Sequence, residues 1–237
     1  MIKKDYQLLQ VKLPLQLVSN YKRNSSIKTT MRWLIYSFII LIVSCSAPDL
    51  EQKEVLEKAK KEAIELSSLT KEFMYGMMWL YVDENNNTFS GWVKESYPDK
   101  NYKTLGYLKN GQKEGTWLGW HKNGKKKFKQ GWEKGNYHGV FNVWYDNGNV
   151  QVNGQTKEGE VDGSWKQFYR NGNKNYISEN KIGKLIAKKV WRSDGKRCHQ
   201  SEVVNGNGTF FEYDENGTHI KTLTFRNGIL FKELIPK

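Results

Sequence analysis

The sequence predicts an all-β chain, a single antiparallel meander of stacked β-hairpins preceded by an N-terminal helix. Three observations carry that prediction. Glycines recur at a 24-residue period, most of the recurring turns read Asn-Gly or Asp-Gly, and the 237 residues include 21 Gly, 13 Tyr and 9 Trp but only 2 Cys. Glycine supplies positive φ in turns, and flat aromatic side chains suit strands.

In chain order, residues 1–30 are mostly polar, and an apolar run, MRWLIYSFIILIVSCS, begins at Met31. The eleven residues Trp33 to Val43 are too few for a membrane-spanning helix, which needs roughly twenty. Arg32, the apolar stretch and the small residues before Cys45 are instead the parts of a secretory signal. Ile42-Val43-Ser44-Cys45 resembles the lipobox of bacterial lipoproteins. That resemblance implies cleavage before Cys45, a diacylglyceryl thioether on its sulfur and an acylated new N-terminus, with residues 31–44 as the signal peptide. It also implies the outer membrane, because Ser46 stands where an Asp would signal retention in the inner one. Met31-Arg32 already opens a complete signal, so translation is expected to start there and residues 1–30 to be an upstream extension. A competing reading keeps them as a basic cytoplasmic tail on an uncleaved anchor, with Cys45 an ordinary cysteine.

Residues 45–75 are expected to form a helical spacer. From Asp49 to about Lys71 the chain is rich in Glu, Lys, Ala and Leu, and Leu56, Ala59, Ala63, Leu66 and Thr70 form a narrow apolar stripe at three- and four-residue intervals. Such a helix holds the next domain off the membrane or packs against its first strands; a partner coiled coil is the lesser reading, because the seam is short and Ala-rich.

Residues 76–237 hold the repeats. GQKEGTWLGWHKNG from Gly111, GNYHGVFNVWYDNG from Gly135 and GEVDGSWKQFYRNG from Gly159 align without gaps. One set of turn positions runs 87, 111, 135, 159, 183, 206, 228 and the other 100, 124, 148, 172, 195, 217. From each member of the second set to the next of the first is eleven residues; the other arm is thirteen four times, then twelve, then eleven. Shortening confined to one arm predicts a bulge or loop there and a fixed strand pair in the other. Asn87 fits a left-handed position, whereas Lys100 is expected to mark a different turn at Pro98-Asp99. Asn-Gly and Asp-Gly suit either a type I′ turn or a left-handed residue after a type I turn. Thirteen turns imply about fourteen strands between Met77 and Ile235, each hairpin burying its apolar face on the next.

The G-x-x-x-G unit with an aromatic-Tyr-x-Asn-Gly turn resembles the bacterial, antitoxin-type variant of the MORN repeat across roughly residues 75–235. The resemblance implies an elongated sheet of β-hairpins. Some bacterial members of that family are antitoxins, and others bind membranes or organise partner proteins.

Stacking puts equivalent residues in columns. Trp120, Trp144, Phe168, Trp191 and Tyr213 lie four before a turn glycine, and Trp117, Phe141, Trp165 and Phe210 form a second column. These rings make a core ladder or, where exposed, an interaction surface, for which Trp120, Trp144, Phe168, Tyr145, Tyr169 and His138 are the candidates. Glu114, His138 and Asp162 share a column that could form an acid–base row or merely carry the polar residue that precedes the turn glycine. Cys198 and His199 are adjacent in a strand, so their side chains point to opposite faces and do not pair as thiolate and base. No metal-ligand spacing, phosphate-binding loop or carboxylate pair is present, so no cofactor or metal is expected. The net charge of +13 falls to +7 once residues 1–44, with seven bases and one acid, are removed. That is a basic surface rather than a nucleic-acid signature, and Lys125, Lys126 and Lys127 read as a solvated turn flank.

The function these features point to is a non-enzymatic, lipid-anchored envelope protein whose sheet binds a protein or ligand. The alternatives are an antitoxin or immunity protein neutralising a partner toxin and, last, an envelope enzyme using Cys198.

Overall fold

The computed structural model describes residues 48–74 and 78–236. The expected signal peptide and Cys45 lie outside the described residues. Among the described residues one α-helix, α1 (Lys53–Glu62), precedes seventeen strands. They are β1 (Ile64–Glu65), β2 (Thr70–Met74), β3 (Met78–Val82), β4 (Gly91–Ser96), β5 (Tyr102–Lys109), β6 (Gln112–Trp120), β7 (Lys126–Glu133), β8 (Asn136–Trp144) and β9 (Val150–Lys157). There follow β10 (Glu160–Val161), β11 (Gly163–Phe168), β12 (Lys174–Lys181), β13 (Lys184–Trp191), β14 (Arg197–Val204), β15 (Asn207–Tyr213), β16 (His219–Arg226) and β17 (Ile229–Leu234). From β4 to β17 the strands follow one another in a single open antiparallel sheet, with the short β10 pairing only β9, and β2–β3 form a separate hairpin. The predicted meander is therefore the observed fold.

The two turn series are chemically different. At Asn110-Gly111, Lys134-Gly135, Glu158-Gly159, Ile182-Gly183, Asn205-Gly206 and Asn227-Gly228 both residues have positive φ, the type I′ pattern. At Gly124, Gly148, Gly172, Gly195 and Gly217 only the glycine does, and pairing slips by one register beside most of these turns, as at Gly119/Trp120 and Val143/Trp144. Both turn types allowed by the sequence are used, one along each side of the sheet.

The arm lengths are explained by bulge size. Between β5 and β6, Leu105 faces Leu118 but Tyr107 faces Glu114, so β6 carries two extra residues around Gly115, whose φ is 68°. The same two-residue excess occurs between β7 and β8 at Gly139. In the twelve-residue arm Glu179 faces Ala187 and Asn180 faces Leu185, one extra residue. In the next arm Glu202 to Val204 pair with Thr209 to Asn207 without interruption. Each deletion has removed bulge and left strand.

Four expectations need correction. The helix ends at Glu62 rather than near Lys71, because Ile64 and Glu65 instead pair, in parallel, with Val93 and Lys94 of β4. Nothing in the local sequence, which has no Gly or Pro there, signals that stop. The hairpin units also begin before residue 76, since β2 starts at Thr70. Asn86 rather than Asn87 is left-handed, in a loop where the Asp83 carboxylate accepts from the Asn85 and Asn87 N–H groups. Lys100 makes the same turn as its repeat mates: its N–H donates to Tyr97 O, as Gly124 N–H does to His121 O, and it holds φ at 65°.

The sheet is covered on both faces only near its start. On one face Ala59 of α1, with Leu50 just before the helix and Ala63 just after it, packs with Trp92 and Leu105. On the other, Leu66, Leu69, Tyr81 and Phe89 cover Val93, Leu108 and Trp117. A third cluster, Leu185, Val190, Val203, Phe210 and Leu223, lies toward the far end.

Ile182 is β-branched and sits at φ 45° with its side chain half exposed. A β-branched residue is a strained choice in the left-handed region, whereas Asn is among the best tolerated. Ile182→Asn is expected to raise stability by about 1 kcal/mol, read as an increase in the urea midpoint.

Candidate interaction surface

The column of Tyr97, His121, Tyr145 and Tyr169 ties successive hairpins together. Each side chain reaches across to the carbonyl that precedes the next member: Tyr97 OH donates to Trp120 O at 2.9 Å, Tyr145 OH to Phe168 O at 3.0 Å and Tyr169 OH to Trp191 O at 3.0 Å. His121 Nε2 lies 2.9 Å from Trp144 O, which fixes Nε2 as the protonated nitrogen, since a carbonyl only accepts. Tyr169 is 2% exposed, and burial pushes its hydroxyl up to about 12. Tyr169 is thus a corrected expectation: its ring is core and its hydroxyl is engaged. Trp120 is half-buried and packs against the cluster under α1, so one face of it already has an occupant. Tyr145 is half-buried with its hydroxyl held, while Trp144 and Phe168 are half-buried further along the sheet.

The supposed acid–base row is a row of turn caps. Glu114 Oε2 accepts from Lys134 N–H at 2.8 Å and Asp162 Oδ1 from Ile182 N–H at 3.0 Å. Ser90 and Asn207 do the same for Asn110 and Asn227, each twenty residues on. Every recipient is the left-handed first residue of a type I′ turn. His138 departs from the row: its Nδ1 lies 3.1 Å from Glu133 Oε2 instead. Cys198 is half-buried with Sγ 3.3 Å from Tyr213 OH, and His199 is exposed. Of the lysine flank, Lys125 Nζ donates to Asn147 O at 2.7 Å, joining two neighbouring turns.

One surface was missed by sequence reading. The two ends of the sheet differ: β1 and the segment after it lie along the outer edge of β4, whereas among the described residues β17 is bonded on one side only, to β16. All six residues of β17 are exposed, including Ile229, Leu230, Phe231 and Leu234, with Ile235 just beyond; Phe231 is 56% and Ile235 72% exposed. Arg226 lies with its guanidinium carbon 3.7 Å from the Phe231 ring centroid, and Lys221 Nζ pairs with Glu233 at 2.8 Å. Stacked repeats ordinarily close with a polar outer unit, and exposed edge strands are ordinarily blunted by charge, proline or a covering element. The signal in the sequence was the replacement of the aromatic-x-x-aromatic columns by a run of aliphatic residues after Gly228.

Among the described residues no helix is long and apolar enough to cross a membrane, and no three His, Cys, Asp or Glu side chains converge as metal ligands. Compared with known protein families and with curated proteins, the sequence matches neither a family nor a curated relative.

Proposed function

We propose that this chain is a non-enzymatic, lipid-anchored envelope protein of the MORN-like type, whose sheet recruits a partner protein at the β17 edge. The observation that carries the reading is the outer edge of β17, which has no strand partner among the described residues and exposes Ile229, Leu230, Phe231 and Leu234. An extended segment of another protein added there would satisfy a row of main-chain groups and cover those side chains, the physics of β-strand addition. The internal hydrogen bonds of the Tyr145 and Tyr169 columns support the same division of labour: the repeats build a scaffold, and the end of the scaffold binds.

A photo-crosslinking amino acid at position 231, in cells expressing the full chain, is expected to give a discrete adduct of higher mass. The same residue at the exposed Lys126 should not give it. No adduct at 231, or the same pattern at both positions, removes the proposal. The anchor is tested separately. Radioactive palmitate should label the wild type and not Cys45→Ser, whose signal should also remain uncleaved; equal labelling of both contradicts lipidation at Cys45.

A further inference from the structure

The second aromatic column has a member that is not aromatic. Trp117, Phe141, Trp165 and Phe210 each stand seven residues before a turn glycine, and in the fourth repeat the residue at that place, seven before Gly195, is Lys188. The rings on this face run as a ladder, with centroids 4.0 Å apart for Trp132–Tyr137 and 5.1 Å for both Tyr137–Phe141 and Phe141–Trp165. It resumes at Phe210–Phe225, 5.6 Å apart, and among the described residues no ring pair joins Trp165 to Phe210. At the break lies a cleft of about 290 Å³, walled by Trp165, Tyr176, Leu185, Phe210 and Phe225. The missing rung has left a space of apolar walls.

The polar groups in that space are few and underused. Lys188 is 8% exposed, with Nζ 3.7 Å from the Tyr176 ring centroid and 3.4 Å from that of Phe210. Among the described residues it forms no ion pair; Glu212 on β15 acts on it only at longer range. Ser178 faces Lys188 directly across β12 and β13 and is also buried. Its oxygen accepts from Asn180 Nδ2 at 3.0 Å, which leaves its own O–H proton without an acceptor among the described residues. A buried cation between two ring faces is partly compensated by them, but a desolvated ammonium with no anion is an expensive arrangement. The Ser178 hydroxyl, on the residue paired with Lys188 across the strands, is likewise a donor with no acceptor among the described residues.

We propose that this cleft binds a small aromatic carboxylate, whose ring supplies the missing rung between Trp165 and Phe210 while its carboxylate accepts from Lys188 Nζ and Ser178 Oγ. The walls select a flat apolar body, because offset or edge-on ring contacts at these spacings are favourable. The two donors select an anion, because both are acceptor-free and one is charged. Carboxylate and ring must therefore be joined, and a neutral aromatic leaves the cation unpaired. This site is independent of the β17 edge and of the anchor.

The test titrates the full chain with indole-3-carboxylate and with benzoate, following tryptophan fluorescence and heat. Their neutral amides serve as controls. Saturable binding of the acids is expected, with the amides at least tenfold weaker. Lys188→Met should weaken the acids at least tenfold, and Lys188→Phe, which fills the gap with a ring, should abolish binding while keeping the fold. Lys113→Met should leave affinity within twofold, since Lys113 lies between Trp117 and Trp132, outside the cleft. Amides that bind as tightly as acids, affinity in Lys188→Met within twofold of wild type, or no saturable binding by either acid at 10 mM overturns the proposal.

Discussion

Gly106→Ala is expected to lower the unfolding free energy by about 3 kcal/mol, the upper range for forcing extra volume into a packed site. A Cβ at Gly106 would clash with the indole ring of Trp117, which is 2% exposed. The ring has little room to withdraw: its Nε1 donates to Tyr107 O at 3.2 Å, and Val93 and Leu108 pack beside it. Gly154 meets Trp165 in the same way two repeats on. The comparison that isolates the cause is Gly124→Ala. Nothing lies within 4 Å of a Cβ there, but φ is 78°, so only the left-handed penalty of about 1 kcal/mol applies. Urea unfolding should place the two variants in that order, with unchanged slope. Equal losses would mean that backbone conformation, rather than the approach of the ring, sets the need for glycine at 106.

Lys188→Met is expected to stabilise the protein at neutral pH by about 1–3 kcal/mol, as when other buried charges are replaced by apolar side chains of similar size. Burial lowers Lys188 from 10.5 to about 7, with Glu212 opposing that shift weakly. Below pH 7 the lysine is charged in both folded and unfolded chains, and the full penalty of burying the charge is present. Between pH 7 and 10.5 the folded chain has released the proton while the unfolded chain retains it, so stability rises with pH. The rise is about 5 kcal/mol at most for such a displacement. Lys113, also lowered by burial, acts in the same direction. Above pH 10 the sign reverses, because Tyr169 and Tyr213 are raised to about 12, chiefly by burial, and the unfolded chain then loses protons first. Wild-type stability should therefore climb from pH 7 to a maximum near pH 10. In Lys188→Met most of the climb should vanish; parallel profiles for the two proteins would contradict a buried, uncompensated Lys188. A residue that lowers stability where Phe would complete the ladder is the kind of local inconsistency expected at a binding site.

Much of the fold was legible because its cause is local. The glycine of each Asn-Gly pair takes positive φ in both turn series, and eleven residues between turns make the same strand pair in every repeat, so a count of glycines yields the meander. The arm that shortens was legible for the same reason, since a bulge is the one part of a hairpin that can lose residues without changing the pairing of the rest. The candidate site was less legible. The aromatic columns could be aligned, but whether a ring faces solvent depends on what covers it. Trp120 and Tyr169 carry the same sequence pattern as Trp144 and Tyr145, yet α1 packs over the first and the second is enclosed. The role of the Glu114, His138 and Asp162 column was not legible from residue type, which allows an acid–base row as well as a polar residue before a turn glycine. Glu114 and Asp162 serve backbone N–H groups twenty residues away, a partnership that exists only once hairpins stack.

The sequence by itself determined the period, the two turn series, the strand order and the arm that carries the bulge, since each rests on backbone conformations that a few residues impose. The proposed membrane anchor rests on the lipobox resemblance of Ile42 to Cys45 alone. Only the tertiary structure decided where α1 stops, because the parallel pairing of Ile64 and Glu65 with β4 overrides helix propensity that nothing local interrupts. It alone decided that one edge of the sheet is covered and the other bare, and that the gap left by Lys188 is a cleft rather than a collapsed core. Edges and cavities are properties of what lies next to a strand in space, and that neighbour is set by packing across the whole sheet.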